Sequence, residues 1–355
     1  MAPISMVTWN LLAPTFATPA KYPWATREHL DWKSRQAKIV SRLAEIDADV
    51  ICLQEVEVAL WVELRRRLTK FGYDGIIQEI SRGHPVANAV CVRKSILSID
   101  RAESRSRALL TVLRACDEPG AGQRATRSAA ARQLESVPPL PSPLYLANVH
   151  LEAGAEKGAT RLAQMSSLLR RVELQRAMDV ADAQGRKTVL SPDCDTTGAA
   201  LVIAGDFNSD RSSELHSFLA TGTPPGADHT HKRASARRLL LPLRDAYLGT
   251  PAPWGPPLRS SYRNGRLLDF VWTSPAVEVL RTMPTCELSG SNRPHQLPSA
   301  EHPSDHLPIG ALLSWSGEPS GAAVARTGVG SLWQQLYVEN VQWPVQRQQP
   351  RQRQR

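Results

Sequence analysis

Leu201 to Asp210 reads LVIAGDFNSD. Four apolar residues, Leu201, Val202, Ile203 and Ala204, run into Gly205, and Asp206 and Asn208 follow with one residue between them. In an extended backbone residues two apart point the same way, so the two side chains project together from the end of a buried strand. Open α/β folds put their chemistry at such strand ends. An Asx-rich turn closing a core strand gives the same local pattern, so the weight falls on whether the rest of the chain repeats it.

It does. ISMVTWN delivers Asn10, DVICLQEV ends at Gln54 and Glu55, LYLANVH ends at His150, LLDFVW carries Asp269 in its middle, and Asp305 and His306 stand at the entrance of LPIGALLSW. One strand-end carboxylate is usually a cap or a surface group. Eight polar residues in the same relation to apolar runs point to a common pole. The four carboxylates of Glu55, Asp206, Asp269 and Asp305, gathered there, would raise one another's pKa unless a cation neutralised them. Glu, Asp and Asn offer oxygen, which suits magnesium or manganese and substrate phosphates, and the chemistry expected is metal-dependent phosphoryl transfer. Zinc is the competing metal, through His302 and His306 or His229 and His231. Neither pair has a cysteine or third histidine beside it, and Pro303 keeps the first off a helix face.

Between these strands the spacing of apolar residues predicts helices over 31–48, about 57–70, 160–183 and 212–219, and further strands over 87–93, 96–100, 108–114 and 277–281. Residues 117–142 are dominated by Gly, Ala, Arg, Ser and Pro and read as an exposed insertion; 317–355 read as a low-complexity basic tail, leaving 1–316 as one domain. The chain has 355 residues, 42% of them hydrophobic, a net charge of +9 and a pI near 9.6. That balance favours anionic partners, nucleic acid first. Five scattered cysteines without C-x-x-C spacing read as reduced thiols and predict an intracellular, cytoplasmic protein. No run of 18 apolar residues predicts a membrane span.

TWNLLAP, ICLQEV, ANVHLE, IAGDFNS, LLDFVW and HPSDHLPI, in this order, resemble the endonuclease/exonuclease/phosphatase superfamily. YPWATREHLDWKSRQAKIVSRLAEIDADVICLQEVE and FGYDGI resemble its deadenylase branch of carbon-catabolite-repressor-type nucleases, nocturnin and Angel proteins. The resemblance implies a four-layer α/β sandwich, two mixed sheets packed face to face with helices outside, and metal-dependent phosphodiester hydrolysis at one end. It implies Glu55 as the principal metal-binding glutamate, Asn10 beside it, and Asp305 as a further acidic residue of the metal environment. Asp206 and Asn208 match the pair that orients the attacking water and contacts the scissile phosphate. His306 matches the histidine that donates to a non-bridging oxygen, Asp269 the aspartate that orients it, His150 a phosphate-side histidine, and Asn88 a substrate-side asparagine.

The activity expected is a magnesium-dependent (or manganese-dependent) 3'-to-5' exoribonuclease acting on single-stranded RNA, poly(A) above all, and releasing 5'-nucleoside monophosphates. Phe16, Tyr22, Trp24 and Tyr262 are the candidates for base stacking. The same metal site would also serve a 2'-phosphorylated cofactor, a 2',3'-cyclic phosphate or a 2'-5' linkage. From another class, an RNA-binding scaffold without catalysis would have no need to keep all eight site residues. No leucine-rich repeat is present to recruit the chain to a deadenylase complex.

Overall fold

The computed structural model describes residues 3–80, 84–116, 143–183, 185, 200–223, 242–248, 266–283 and 297–315. The expected insertion and tail, Tyr262, His229 and His231 lie outside the described residues. In chain order the elements are β1 (Ile4–Asn10), α1 (Arg27–Leu30), α2 (Trp32–Ile46), β2 (Val50–Glu57), α3 (Trp61–Thr69), β3 (Tyr73–Ile77), β4 (Val86–Arg93), β5 (Leu97–Arg105), β6 (Ala108–Ala115) and β7 (Leu144–His150). There follow α4 (Gly158–Ala183), β8 (Leu201–Asp206), α5 (Glu214–Thr221), β9 (Arg244–Asp245), β10 (Asp269–Thr273), β11 (Val277–Thr282) and β12 (Ile309–Trp315).

The strands form two six-stranded sheets, ordered β11-β12-β1-β2-β4-β3 and β5-β6-β7-β8-β10-β9. Each is mixed: β1 runs parallel to β2 and β7 parallel to β8, while β12 and β10 return antiparallel beside them. Period-two alternation sorts the side chains. Met6, Cys52 and Val90 of the first sheet meet Leu109, Leu146, Val202 and Val271 of the second in the central core. Their neighbours Val7, Ile51 and Leu53 face outward, under Ile39 and Leu43 of α2 and Leu64 of α3. On the far side Ala147, Ile203 and Phe270 lie under Met165 and Leu169 of α4 and Phe218 of α5. The result is the expected four-layer sandwich, helix, sheet, sheet, helix.

Local chemistry accounts for the element boundaries. Asp31 caps α2 by accepting from the Ser34 N–H at 2.9 Å, and Asp47 closes it in the left-handed region. Helix α3 starts later than its periodicity predicts, because β2 continues to Glu57 and residues 58–60 form a single 3-10 turn. Strand β3, YDGII, was not among the expected strands; its run is short and broken by Asp74 and Gly75. Asp269 opens β10 instead of sitting mid-strand, since Leu267 and Leu268 precede the ladder.

Two positions carry sharp consequences. Gly205 has φ +141°, and a Cβ there would stand 2.0 Å from Val149 O of the neighbouring strand. Gly205→Ala is therefore expected to cost roughly 3 kcal/mol or more and to displace the following Asp206, which urea denaturation and activity assays will register together. His216 of α5 is buried against Phe207, Phe270 and Trp272, and burial pushes its pKa down to about 4. The folded state then holds fewer protons than the unfolded one between that value and the ordinary 6.5, so stability is full above pH 6.5 and falls as pH drops toward 4. His216→Phe is expected to remove that acid sensitivity, worth up to about 3 kcal/mol, measured as the difference between urea midpoints at pH 7 and pH 4.5 for both proteins.

Candidate functional site

Sheet register gathers the polar strand ends. His150 pairs with Asp206 across the parallel β7–β8 ladder, and Asp269 pairs with Asp206 across β8–β10, so the three stand in one row of the second sheet. In the first sheet Asn10 pairs with Gln54, beside Glu55, and β12 enters antiparallel with Ile309 opposite Thr8. That brings Asp305 and His306, which precede β12, to the same pole. Three ties hold the loop there: Trp9 Nε1 donates to His306 O at 2.8 Å, Ser304 Oγ to Asn10 O at 2.6 Å, and the His306 N–H to Ser304 Oγ at 3.1 Å.

Asp206 is the centre of the cluster. Its Oδ1 accepts the main-chain N–H of Asn208 at 2.8 Å. Its Oδ2 accepts from Asn10 Nδ2 at 3.1 Å and has His150 Nε2 and His306 Nε2 each 3.7 Å away. Asp269 lies across the ladder, and carboxylates directly opposite repel. His306 relieves the repulsion: its Nδ1 lies 2.8 Å from Asp269 Oδ2 while Nε2 faces Asp206. Burial opposes charging this imidazole, but Asp269 and Asp206 outweigh it and hold its pKa well above the usual value. Burial, then Asp269, pushes the Asp206 carboxyl up, with His306 and His150 pulling against them.

Glu55 reaches the site through a distortion. In an unbroken β2 it would share the outward face of Ile51 and Leu53, beneath the helices. The ladder with β4 instead slips between Leu53 and Val56, and Glu55 takes φ +54°, so Val56 occupies the outward slot and Glu55 is freed. Such bulges re-aim a side chain. Its Oε2 accepts the Ala13 N–H at 3.0 Å and its Oε1 accepts from Asn10 Nδ2 at 3.2 Å. Buried Asn148 of β7 stabilises the slipped ladder from the opposite sheet, donating Nδ2 to Leu53 O at 2.9 Å and Ala89 O at 2.8 Å, while Gln54 Nε2 donates to Asn148 Oδ1 at 2.7 Å.

Asp305 lies beside Glu55. Burial raises its pKa, Glu55 adds to that, and His306 and a 2.6 Å hydrogen bond from Tyr22 OH oppose it. Beneath both acids lies Arg35, 1% exposed, donating Nη1 to Leu11 O at 2.9 Å and Pro303 O at 3.1 Å. Burial lowers its pKa to about 10 against the pull of Asp305 and Glu55; it remains a cation.

All eight strand-end residues therefore meet at one pole. Three geometries differ from expectation. Asn10 turns its amide N–H toward Glu55 and Asp206, while its Oδ1 accepts the Leu12 N–H at 3.0 Å; it bridges the acids by donating to them, with its oxygen already engaged. Asn88 is buried and spends Nδ2 on the carbonyls of Arg107 and Asn148, a strut between the sheets. Tyr22 is buried with its hydroxyl on Asp305, edge-on to Trp24, so packing claims it; Phe16 and Trp24 stay partly exposed. Arg35, Gln54 and Asn148 escaped the sequence reading as site residues, and Tyr22 entered it in another role, as a stacking candidate. A charged residue one turn before Ile39 on the apolar face of α2 was the available signal for Arg35, and an amide at an inward position of β7 the signal for Asn148.

A cation fits this donor set. Buried carboxylates with raised pKa values are what a divalent ion would neutralise, and the donor atoms of Asp206, Asp269 and His306 lie within 4.8 Å of one another. Asp269 and His306 are hydrogen-bonded to each other, and Glu55 and Asp305 add further carboxylate oxygens of the kind a hard ion takes.

The model of the Endonuclease/Exonuclease/phosphatase family matches residues 7–306. The chain is 27% identical over 342 residues to carbon catabolite repressor protein 4 homolog 4 of Arabidopsis thaliana, covering 86% of this chain and 76% of that one. It is 26% identical over 336 residues to human 2',5'-phosphodiesterase 12, covering 88% of this chain but 52% of that protein, so it spans about half the length of this relative. Among solved structures, ANGEL2, a 2',3'-cyclic phosphatase, in complex with adenosine-2',3'-vanadate superposes with a TM-score of 0.63 at 20% identity, covering 88% of this chain and 95% of that one. The human nocturnin catalytic domain gives 0.57 at 19%, covering 89% and 94%. These two likenesses speak for the fold. The chain belongs to the Endonuclease/Exonuclease/phosphatase family, enzymes that hydrolyse phosphoester bonds, and its relatives, a carbon catabolite repressor protein 4 homolog and 2',5'-phosphodiesterase 12 among them, match the deadenylase branch of that family.

Proposed function

We propose that the protein is a magnesium-dependent (or manganese-dependent) 3'-to-5' exoribonuclease of the deadenylase type, shortening single-stranded poly(A) and releasing 5'-nucleoside monophosphates. The observation that carries the reading is the arrangement around Asp206, a buried carboxylate whose Oδ2 is shared by Asn10, His150 and His306 while Asp269 holds the far side of His306.

Glu55 and Asp305 would hold the metal, with Asn10 fixing Glu55 and Tyr22 fixing Asp305. A divalent cation there would supply Lewis-acid charge to the phosphate and make water more acidic. Asp206 takes the proton of the attacking water, and the raised pKa of its carboxyl makes it the stronger base. His306, kept cationic and fixed in orientation by Asp269, donates to a non-bridging oxygen as negative charge develops on phosphorus. Asn208 fixes Asp206 through its main-chain N–H, and its amide, which gives one hydrogen to Leu151 O at 2.9 Å, has a second to offer the phosphate; His150 faces the phosphate from the second sheet. Among the described residues, Phe16 and Trp24 are the candidates left to stack on a base.

A second reading keeps the site and changes the bond: cleavage of 2'-5' linkages or of 2',3'-cyclic phosphates. The relatives named 2',5'-phosphodiesterase 12 and the 2',3'-cyclic phosphatase ANGEL2 favour it.

The deciding assay is a gel time course on 5'-labelled RNA ending in a 3'-5' poly(A) tract, beside a 2'-5' oligoadenylate and a cyclic-phosphate end, with magnesium and with EDTA. Stepwise shortening of the first that slows at the first non-adenine base is the expected result. Faster turnover of either of the others selects the second reading. Asp206→Asn and His306→Ala are each expected to lower kcat/KM by at least on the order of 100-fold to 1,000-fold without loss of folded signal by circular dichroism. Glu55→Ala is expected to raise the magnesium concentration needed for half-maximal rate, and an unchanged magnesium curve would remove Glu55 from the metal site.

A further inference from the structure

Directly across the ladder from His150 stands a charge that the proposed chemistry leaves unused. Ala108 pairs with Val149, so one step further along the antiparallel pair Arg107 faces His150, and the His150 N–H donates to Arg107 O at 2.9 Å. Opposed residues of such a pair share a face with Cβ atoms about 5 Å apart. Arg107 itself stands in the two-residue turn between β5 and β6, with its main chain against that of His150 at the rim of the pole. Asn88 Nδ2 donates to the same carbonyl at 3.3 Å, so the main chain here is pinned twice.

The guanidinium of Arg107 is ion-paired with Glu152, and both side chains are 31% exposed. A solvated pair of this kind contributes ~0–1 kcal/mol, whereas a phosphate offers the guanidinium a bidentate partner of higher charge. Arg105, Ser106 and Arg107 also line a hollow between the β5–β6 turn and α4, whose facing wall carries Gln164 and Ser167. Arg105 Nη2 lies 3.4 Å from Ser167 Oγ and its Nη1 3.3 Å from Glu103 Oε1. The residues lining the hollow include two arginines, two serines and a glutamine; each arginine is paired with an acid outside the lining, Arg105 with Glu103 and Arg107 with Glu152.

We propose that Arg107 and Arg105, with Ser106 and Ser167, form a second anion subsite beside the catalytic pole, which takes the phosphate next to the scissile one on an oligonucleotide. It rests on the function proposed above and narrows the substrate class to chains with phosphates one nucleotide apart, as against an isolated phosphoester. Glu152 holds Arg107 in place until the phosphate displaces it.

The test compares kcat/KM on ApA, whose one phosphate is the scissile one, with pApA and ApAp, which add a phosphate on either side, using Arg107→Met, Arg105→Met and, as a remote control, Arg65→Met. The wild-type protein is expected to favour one of the two-phosphate substrates over ApA by roughly tenfold. Arg107→Met erases that ratio, Arg105→Met reduces it, and Arg65→Met leaves it intact. A ratio that survives Arg107→Met overturns the proposal, as does a loss of the same factor on all three substrates, which would make Arg107 a support for His150 only. Should none of the three be hydrolysed, the nuclease reading falls by itself, and the subsite is tested by calorimetric titration with AMP and adenosine 3',5'-bisphosphate. Tighter binding of the bisphosphate that disappears in Arg107→Met upholds the subsite, and equal binding of the two nucleotides overturns it.

Discussion

The carboxylate of Asp206 has to stay charged in a place that water hardly reaches. It is 2% exposed and faces a second carboxylate, Asp269, across one rung of a ladder, an arrangement that by itself drives a proton onto one of the pair. The protein answers with an imidazolium between them and with amide donors from Asn10 of the opposite sheet and the main chain of Asn208. The rest of the pole is built so that these groups cannot move: the His306 loop is tied to β1 through Ser304 and Trp9, and Arg35 clamps that loop to the end of β1 from below. A buried cation under two carboxylates on the opposite side, Glu55 and Asp305, applies the same electrostatic logic a second time.

Backbone strain is concentrated where this chemistry sits. Among the described residues four other than glycine adopt positive φ, and three of them, Leu12, Glu55 and Asn208, belong to the pole, while the fourth, Asp47, merely caps a helix. Strain of order 1–3 kcal/mol per residue persists only where the surroundings over-determine it. Asn148 and Gln54 do that for Glu55. They cross-link the two sheets at the slipped register, beside the strut made by Asn88, and they fill hydrogen bonds that an interrupted ladder leaves open.

The fold was legible because apolar runs of strand length alternated with helical stripes, and the pole because polar residues stood where those runs stopped. Asn10, His150 and Asp206 follow that rule simply. Glu55 reaches the site for a different reason: nothing in QEVE announces a bulge, since a one-residue slip changes which face a side chain takes without changing composition. The apolar residues on both sides of Asp269 hid the ladder boundary. Arg35 and Asn148 were present in the sequence as polar residues at inward positions, which local patterning treats as noise and a functional site treats as its foundation.

Among the described residues the first strand is an interior strand of its sheet, and one of its two neighbours is the last described strand: Ile4 pairs with Leu313 and Thr8 with Ile309. During synthesis β1 has β2 soon available on one side, whereas its partner on the other side, Ile309–Trp315, follows much later in the chain. For that interval the open edge of β1 is a template for pairing with another chain. Asn10, Glu55, His150 and Asp206 can all be in place by then, yet His306, the charge that lets Asp206 and Asp269 coexist, arrives on the segment that closes the edge. Completion of the sheet and neutralisation of the acidic pair are thus one event, so a nascent chain short of β12 is both unprotected and unable to assemble its site.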